Sequence, residues 1–233
     1  MKDATAYAKK LQALLNKLKG SADDVARYDD PLDQLVYSFL LWETTARQAD
    51  SAYTRLVKRV VDHNDLRVSD PAEIVAFIGN RYGRVDERAV RIRDSLHAIY
   101  LREHVMSLDQ LKAMPKRDAR AYLDELEGMV PFVSASIVLL SLGGHAIPVD
   151  EQMVRALKRE QVVDEQADLP DVQGFLEHNI KASAGVKAFV RLRNLSEASG
   201  GGKTTKKTSK RSSKKKTAKK TTGKTSRKKS TSR

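Results

Sequence analysis

The residues best placed to do chemistry are a glycine and an aspartate that lie 22 positions apart. Gly128 lies between two helical segments, where a residue that tolerates a positive φ is needed to turn the chain. The segment from Phe132 to Leu142 is apolar almost throughout, which predicts a buried helix. Asp150 follows Pro148-Val149 and begins an amphipathic segment. A glycine turn before a helix can hold an anion, and a carboxylate at a helix start can cap the helix or stabilise positive charge.

This stretch resembles the helix-hairpin-helix and catalytic segment of the endonuclease III superfamily of DNA glycosylases. The family's motif runs roughly L-P-G-V-G-x-K-T-A and is followed by a buried helix and a catalytic V-D. Gly128 and Asp150 keep that spacing without a gap. The resemblance implies that Gly128, Met129 and Val130 hold a DNA phosphate. It also implies that Asp150 stabilises the oxocarbenium-like sugar, or orients the attacking water, while a damaged base departs.

Two positions of this motif, Val130 and Phe132, depart from the family's pattern. Val130 stands where the hairpin has its second glycine, and Pro131 removes one N–H donor, so we expect weak phosphate binding. Phe132 stands where bifunctional members carry the lysine that forms a Schiff base. We therefore expect no lyase chemistry at this position and, at most, removal of a base by water.

An ungapped match from Pro31 places Glu43 where endonuclease III has a glutamine that fills the gap left by a flipped base. A carboxylate is a poor plug beside phosphates, so Glu43 favours either a different substrate or a lost one. The neighbouring Trp42 could stack on a base, but a single tryptophan on an apolar helix is more often part of the core.

Each of these residues also has a purely structural interpretation. Gly128 fits an ordinary corner between two helices, and Asp150 fits an N-cap, whose side chain accepts hydrogen bonds from the first N–H groups of its helix. Capping and catalysis do not exclude each other, since the resemblance places the catalytic aspartate at such a helix start. Both interpretations of Asp150 stay open at this point.

The charge of the chain is divided unevenly along its length. The 233 residues carry a formal charge of +13. Residues 201–233 hold fifteen Lys and Arg and no Asp or Glu, so the first 200 residues hold 43 − 15 = 28 basic and 30 acidic side chains. A body with a net charge of −2 must either gather its basic side chains on one face or depend on the tail to bind DNA.

The tail, residues 199–233, consists almost entirely of Lys, Arg, Ser, Thr and Gly and begins at a glycine-rich joint from Ser199 to Gly202. This composition predicts a disordered, polyanion-binding arm of the kind seen on linker-histone-like proteins. The expected DNA contacts include the following lysines: Lys206, Lys207, Lys214, Lys215 and Lys216. A solubilising or nonspecific extension is the alternative.

Helical periodicity runs through residues 1–198 with no alternating strand, which predicts an all-α fold of about eleven helices. The resemblance implies a two-lobed arrangement: a barrel lobe at about 31–143 and a second lobe formed by 1–30 and 150–198. DNA would lie in the cleft between them. Asp70-Pro71 predicts a helix start that Gly79 ends, and Ser107 with Gln110 predicts a capping box.

Composition limits the classes of site and location. The chain has no cysteine, which excludes disulfides, a thiolate zinc site and the four-cysteine iron–sulfur cluster of many endonuclease III relatives. The five histidines lack metal-ligand spacing, so we expect no metal and no cofactor. No apolar run reaches the ~18 residues of a membrane span, and we expect a cytoplasmic, nucleoid-associated protein.

These observations favour a DNA-binding protein of the glycosylase superfamily, with Asp150 carrying monofunctional base removal. The alternative is a non-catalytic DNA-binding or nucleoid-associated protein that keeps the glycosylase fold, as the departures at Val130, Phe132 and Glu43 would allow. A third interpretation is RNA binding through the tail alone, since a flexible basic arm does not distinguish between polyanions.

Overall fold

The structure, a computed structural model, describes residues 4–200. This part of the chain folds into twelve α-helices and two short 3-10 helices (Ala22–Asp24 and Ala182–Ala184), with no strand among the described residues. The helices, in chain order, are α1 (Ala4–Lys17), α2 (Pro31–Leu41), α3 (Ala46–Leu56), α4 (His63–Val68), α5 (Pro71–Ile78), α6 (Val85–Glu103), α7 (Gln110–Ala113), α8 (Lys116–Asp124), α9 (Pro131–Leu140), α10 (Glu151–Arg159), α11 (Leu169–Asn179) and α12 (Gly185–Gly200). The all-α prediction is confirmed.

Aspartates and prolines define where several of these helices begin. Asp30 and Asp70 each accept a hydrogen bond from a backbone N–H in the first turn of the helix that follows, and each is followed by proline at the first helical position. Gly79 ends α5 with a φ of 107°, as the sequence predicts. These local signals mark the starts of α2 and α5 and the end of α5.

The centre of the core is α9. Every residue of this helix after Pro131 is buried, and the helix packs against α2, α8 and α12. Because α9 has no polar face to expose, it can only lie inside the molecule. It thereby holds α2, whose C-terminal end leads to Glu43, close to α12.

Two groups of helices surround this centre. Helices α2 to α6 pack mainly on one another, while α12 packs against α1, α10 and the first 3-10 helix. The lobe boundaries at about 31–143 and at 1–30 with 150–198 stay a prediction. No helix among residues 4–200 has the length and apolar character needed to cross a membrane.

Three local predictions need correction. There are twelve α-helices in the described residues rather than about eleven, because the stretch from Ala46 to Val68 breaks into α3 and α4. The capping box of Ser107 and Gln110 does not form, since the Ser107 hydroxyl accepts from the N–H of Asp109 instead. Helix α12 continues through Ser199 to Gly200, because nothing weakens the helix before the glycine run that begins there.

Candidate nucleic-acid interface

Asp150 is an N-cap that also contacts α2's C-terminal turn. Its Oδ1 accepts from the N–H of Met153 at 2.8 Å, and its Oδ2 accepts from the N–H of Glu43 at 3.0 Å. Nη1 of Arg193 lies 3.9 Å from the same Oδ2. With only 2% of its surface exposed, Asp150 has polar protein groups, rather than solvent, around its carboxylate. The predicted cap is confirmed, and the structure brings Asp150 directly against Glu43.

Glu43 is held in a conformation that non-glycine residues seldom adopt. Its φ is 51°, in the left-handed region, and its carbonyl accepts from the Gln152 side chain at 2.7 Å. Its carboxylate pairs at 3.2 Å with Arg84, which also has a positive φ, of 54°. Burial raises the pKa of the Glu43 carboxyl, and the Arg84 charge opposes that rise. Strained backbone at both ends of one ion pair is typical of a functional site.

Two buried arginines hold the turn on which Glu43 lies. Arg88, with none of its surface exposed, donates to the carbonyls of Phe39, Trp42 and Gly83. Arg193 donates to the carbonyls of Leu41 and Thr44, which lie before and after Glu43 in the chain. The last carbonyls of a helix lack partners within the helix, so these guanidinium groups complete the C-terminal end of α2. Burial lowers the pKa of Arg88 to about 10.

Trp42 links this turn to the hairpin through one arginine. The indole is 9% exposed, which confirms it as part of the core, and the guanidinium carbons of Arg84, Arg88 and Arg91 lie 4.9 to 5.7 Å from its ring centroid. Nη1 of Arg91 also donates to the carbonyl of Gly128 at 3.1 Å. The hairpin and Asp150 are thus joined by a short path through Arg91 and Trp42.

The hairpin turn is built for packing against α6. Gly128 has a φ of 77°, and a Cβ there would lie 2.8 Å from the carbonyl oxygen of Arg91. Val130, the N-cap of α9, makes no side-chain capping hydrogen bond, but this helix start offers few donors to an anion, because Pro131 has no N–H and the N–H of Val133 donates to the Val130 carbonyl at 2.9 Å. In addition, Glu125 and Glu127 are exposed on the turn. Their charges oppose the phosphate binding implied for Gly128, Met129 and Val130.

Phe132 is a core residue. It is 2% exposed, its ring centroid lies 6.2 Å from that of Phe189, and the Arg193 guanidinium lies 5.9 Å from its ring. A lysine could not be placed here without burying an ammonium group against apolar side chains. The interpretation of Phe132 as core therefore holds.

An arginine-rich groove of about 760 Å³ lies next to the Glu43 turn. We call it the arginine groove. It is formed by the following residues: Arg47, Gln48, Ser51, Arg55, Gly79, Asn80, Arg81 and Tyr82. Arg55 donates to the Ile78 carbonyl and to Ser51, whereas neither Arg47 nor Arg81 pairs with a carboxylate of the described chain. The groove thus holds two arginines whose charge is not paired with a carboxylate of the described residues.

A second cavity, of about 270 Å³, lies on the opposite side of α3, where α2 and α3 face the first 3-10 helix and α12. We call it the interlobe cavity. Its lining consists of Asp23, Asp24, Val25, Ala26, Tyr37, Leu41, Ala46, Asp50, Phe189, Val190, Arg193, Asn194 and Glu197. Asp150 is not part of this lining, and it is connected to the cavity through Arg193.

The sequence offers five arginines near the hairpin as candidates for a basic rim, with a solvated helix face as the favoured interpretation: Arg91, Arg93, Arg102, Arg117 and Arg120. In the structure most of them are neutralised. Four of the five pair with carboxylates on neighbouring turns or helices, as in Arg91 with Glu87 and Arg102 with Glu125, and only Arg117 has no such partner in residues 4–200. This agrees with their interpretation as solvated helix faces. The histidine interpretation needs a qualification, because His63 lies beside Asp33 and Asp30 close enough for the three to share a cation, although they also fit an ordinary ion pair.

Sequence reasoning missed the arginines that organise this site. Arg88 lies one turn from Val85 and Ile92 on the apolar stripe of α6, and Arg193 lies one turn from Phe189 on α12. A charged residue within an apolar stripe is the signal that could have identified them, since a buried cation needs fixed partners. The tail lysines Lys206, Lys207, Lys214, Lys215 and Lys216 lie outside the described residues, so their DNA contacts remain a prediction.

By sequence, the chain matches no protein-family model and no curated protein. By structure, it is similar to a trapped endonuclease III–DNA covalent intermediate, with 18% identity, a TM-score of 0.63, and 83% of this chain and 85% of that chain covered. A Clostridium acetobutylicum 8-oxoguanine glycosylase/lyase bound to DNA gives 18% identity, a TM-score of 0.62, and coverage of 85% and 71%.

A third similar structure is H. pylori 3-methyladenine DNA glycosylase bound to 1,N6-ethenoadenine, with 15% identity, a TM-score of 0.59, and coverage of 85% of this chain and 98% of that one. Agreement over more than four fifths of the chain at such low identity is agreement of fold. The resemblance first seen between Gly128 and Asp150 therefore extends over the whole described body, and this chain has the two-lobed, all-helical fold of the endonuclease III-like DNA glycosylases.

Proposed function

We propose that this protein binds DNA through the arginine groove and removes a base as a monofunctional DNA N-glycosylase, with Asp150 as its catalytic carboxylate. One observation carries the proposal. Helix α3, which begins directly after the Glu43 turn, separates the arginine groove from the interlobe cavity, and the carboxylate of Asp150 accepts a hydrogen bond from that turn. A surface for the DNA phosphates, a turn able to enter the stack of bases in the duplex, and a cavity for an extruded base therefore lie next to one another.

The chemistry needs only a carboxylate and water. The bond between C1′ of the sugar and the base nitrogen breaks, and both electrons leave with the base. The oxocarbenium-like sugar is stabilised by the charge of Asp150. Water then adds its oxygen to C1′ and loses a proton, and the departing base takes up a proton. Since Phe132 supplies no amine, the product is an intact strand with an abasic site.

Burial of Asp150 sets a condition on this mechanism. The carboxylate can approach a sugar only if the Glu43 turn moves away, which breaks the bond from the Glu43 N–H and separates Glu43 from Arg84. DNA phosphates favour that movement because they compete with Glu43 for Arg84. The strained φ angles of both residues lower the free energy needed to leave the closed state.

The test is a base-release assay with the full-length protein on a panel of duplexes that carry damaged bases. We expect alkali-sensitive abasic sites with no strand cleavage before alkali. Asp150→Asn keeps the N-cap, since asparagine caps well, but we expect it to reduce the rate at least ~100-fold through loss of the charge. Equal rates in both proteins would contradict the role of Asp150.

A second candidate is a non-catalytic DNA-binding protein that keeps the fold, and the 2% exposure of Asp150 favours it. In that case Asp150 only caps α10 and anchors the Glu43 turn. The same panel of duplexes distinguishes the two candidates. Binding to the duplexes without base release from any of them would support the non-catalytic function and exclude the glycosylase. In both cases the lysine-rich tail would add nonspecific affinity and keep the protein at the nucleoid.

A further inference from the structure

Basic side chains gather where the N-terminal half of α12 meets α1. Residues 4–20 contain four lysines, residues 179–196 contain four basic side chains, and neither segment contains Asp or Glu. The rest of the first 200 residues holds 28 − 8 = 20 basic and 30 acidic side chains. Because α1 packs against α12, the two segments bring their positive charge together on one side of a body that is otherwise acidic.

A pocket of about 450 Å³ lies between these two segments. We call it the basic pocket. Its polar lining consists of three basic residues and three amides: Lys181, Lys187, Arg191, Gln12, Asn16 and Asn179. None of the described residues that line it is acidic. The lining therefore has a formal charge of +3, within a body whose net charge is −2.

The walls of the basic pocket are held in place, whereas its two lysines have no partner in the protein. The Gln12 side chain donates to the Asn179 carbonyl at 3.0 Å, and Nη1 of Arg191 donates to a backbone carbonyl of α1 at 2.8 Å. Lys181 and Lys187 are exposed, and their ammonium groups form neither a hydrogen bond nor an ion pair with any described residue. Their charge is therefore available to a ligand.

The chemistry of the basic pocket fits phosphate groups better than a protein surface. Its lining residues Leu15, Ile180 and Ala188 are only 4% to 7% exposed, so the pocket offers little of the apolar surface that anchors protein interfaces. Ammonium groups on flexible stems contact phosphates as point charges and do not read sequence. Lys9 lies one turn before Gln12 on the same face of α1, which extends the positive charge beyond the pocket. This arrangement favours a phosphate-bearing polymer.

The basic pocket lies apart from the arginine groove. A Cβ on Gly185, at the start of α12, would lie 3.1 Å from Leu139 near the C-terminal end of α9, and the hairpin is at the other end of α9. Helix α3 separates the groove from the interlobe cavity, and α12 lies between that cavity and the basic pocket. The four carboxylates of the cavity repel a DNA backbone, and a duplex with a persistence length of ~150 bp resists bending around a body this small. A duplex held at the groove therefore does not continue into the pocket.

We propose that the basic pocket binds the backbone of a second DNA duplex, so that one protein molecule holds two duplexes. This inference goes beyond the proposed function, since it depends on DNA binding at the arginine groove but not on catalysis by Asp150. Each ammonium group that contacts a phosphate releases condensed counterions. Because only a few such contacts form, binding of the second duplex is weak and strongly dependent on salt.

The test is the capture of a second duplex by the full-length protein. The protein is bound to a short immobilised duplex, unbound protein is washed away, and the retention of a fluorescent second duplex is measured. The double variant Lys181→Gln, Lys187→Gln should reduce this retention about tenfold and lower its salt slope by ~0.9 for each lost contact. Binding of the first duplex should not change. Since the tail is the same in both proteins, its own affinity for DNA does not account for the difference.

The matched control is the double variant Lys58→Gln, Arg59→Gln. It removes two exposed basic side chains that line neither the arginine groove nor the basic pocket, and we expect it to retain the second duplex as the unaltered protein does. Equal retention by the pocket variant and the unaltered protein, or an equal loss in the control, would overturn the inference.

Other occupants of the basic pocket give different results in the same assay. Stronger retention of an RNA duplex than of a DNA duplex would overturn the assignment to DNA. Binding of AMP that is lost in the pocket variant, without retention of a second duplex, would overturn it in favour of a free phosphate compound. Base release from the first duplex is measured in the same samples, so failure of the second-duplex inference leaves the proposed function standing.

Discussion

The two sides of α3 differ in charge although they belong to one helix. Arg47, Ser51 and Arg55 face the arginine groove at intervals of one helical turn, while Ala46 and Asp50 face the interlobe cavity. A helix that begins directly after the Glu43 turn thus separates a groove lined by three arginines from a cavity lined by four carboxylates and one arginine. In a body with more acidic than basic side chains, basic and acidic groups are therefore gathered on different sides of one helix.

The hairpin and the arginine groove belong to the same fold but differ in the charge of the side chains around them. Its turn at Gly128 has a positive φ, but it is flanked by the exposed carboxylates of Glu125 and Glu127. The loop from Gly79 to Arg84, by contrast, carries Arg81, which pairs with no carboxylate of the described residues. We infer that the main phosphate contact of the body lies at the groove rather than at the hairpin.

The largest expected effect concerns Arg88, the buried arginine that holds the Glu43 turn. Arg88→Met leaves the carbonyls of Phe39, Trp42 and Gly83 without their donor, and we expect a loss of about 3 kcal/mol or more in the free energy of unfolding. Urea denaturation measures it, with the exposed Arg59→Met as control. Equal stability of the two variants would show that the turn does not depend on Arg88.

The second prediction tests the basic side of α3. The double variant Arg47→Gln, Arg81→Gln should bind duplex DNA about tenfold more weakly, and the slope of log affinity against log salt should fall by ~0.9 for each phosphate that is no longer neutralised. Arg117→Gln, on α8 before the hairpin, should change both quantities much less. A larger effect of Arg117 would return the main phosphate contact to the hairpin.

The third prediction uses the titration of Glu43. Burial raises its pKa, so lowering the pH from about 7 to about 5 neutralises a larger share of the carboxyl than in an exposed glutamate, and repulsion of phosphate falls. DNA affinity should therefore rise as the pH falls. Glu43→Gln should bind about threefold more tightly at neutral pH and show a smaller rise. Identical pH profiles would contradict this.

The smallest expected effect concerns the interlobe-cavity side of α3, where the Tyr37 hydroxyl donates to Asp50. Burial, and then Asp50, raises the folded-state pKa of Tyr37 well above its ordinary value, and burial raises that of Tyr28 to about 12. The stability gained from each is fully present below pH 10 and is lost as the pH rises through the folded pKa. Arg88 has the opposite sign, because its lowered pKa makes stability rise with pH above about 10. Tyr37→Phe should therefore reduce the alkaline loss of stability, while the matched Tyr100→Phe should not.

Much of the fold was predictable from local signals. The Asp-Pro starts of α2 and α5, the stop at Gly79 and the burial of α9 depend on residues close in sequence, and the structure confirms them. The prediction of a capping box at Ser107 was wrong. The N–H groups of Asp109 and Gln110 were both candidate donors to the Ser107 hydroxyl, and the sequence does not show which of them lies closer.

The site was less predictable, because it depends on contacts between residues far apart in the chain. The bond from the Glu43 N–H to Asp150 spans 107 positions, and Arg193 reaches the Thr44 carbonyl across 149. Helical periodicity identifies a buried stripe but not the partner of a charged residue within it. The charge contrast across α3 was hidden for the same reason, since it appears only when the neighbours of each face are known.

The most direct measurement of the central claim uses the absence of cysteine from the chain. Arg47→Cys places a single thiol in the arginine groove, and Asp50→Cys places one in the interlobe cavity. Each variant is mixed with duplexes that carry a disulfide tether either on a backbone phosphate or on the base to be extruded, and cross-linking yields are measured. We expect the phosphate tether to capture the groove thiol and the base tether to capture the cavity thiol. A reversed pattern, or equal yields at both positions, would contradict the separation of phosphate and base by α3.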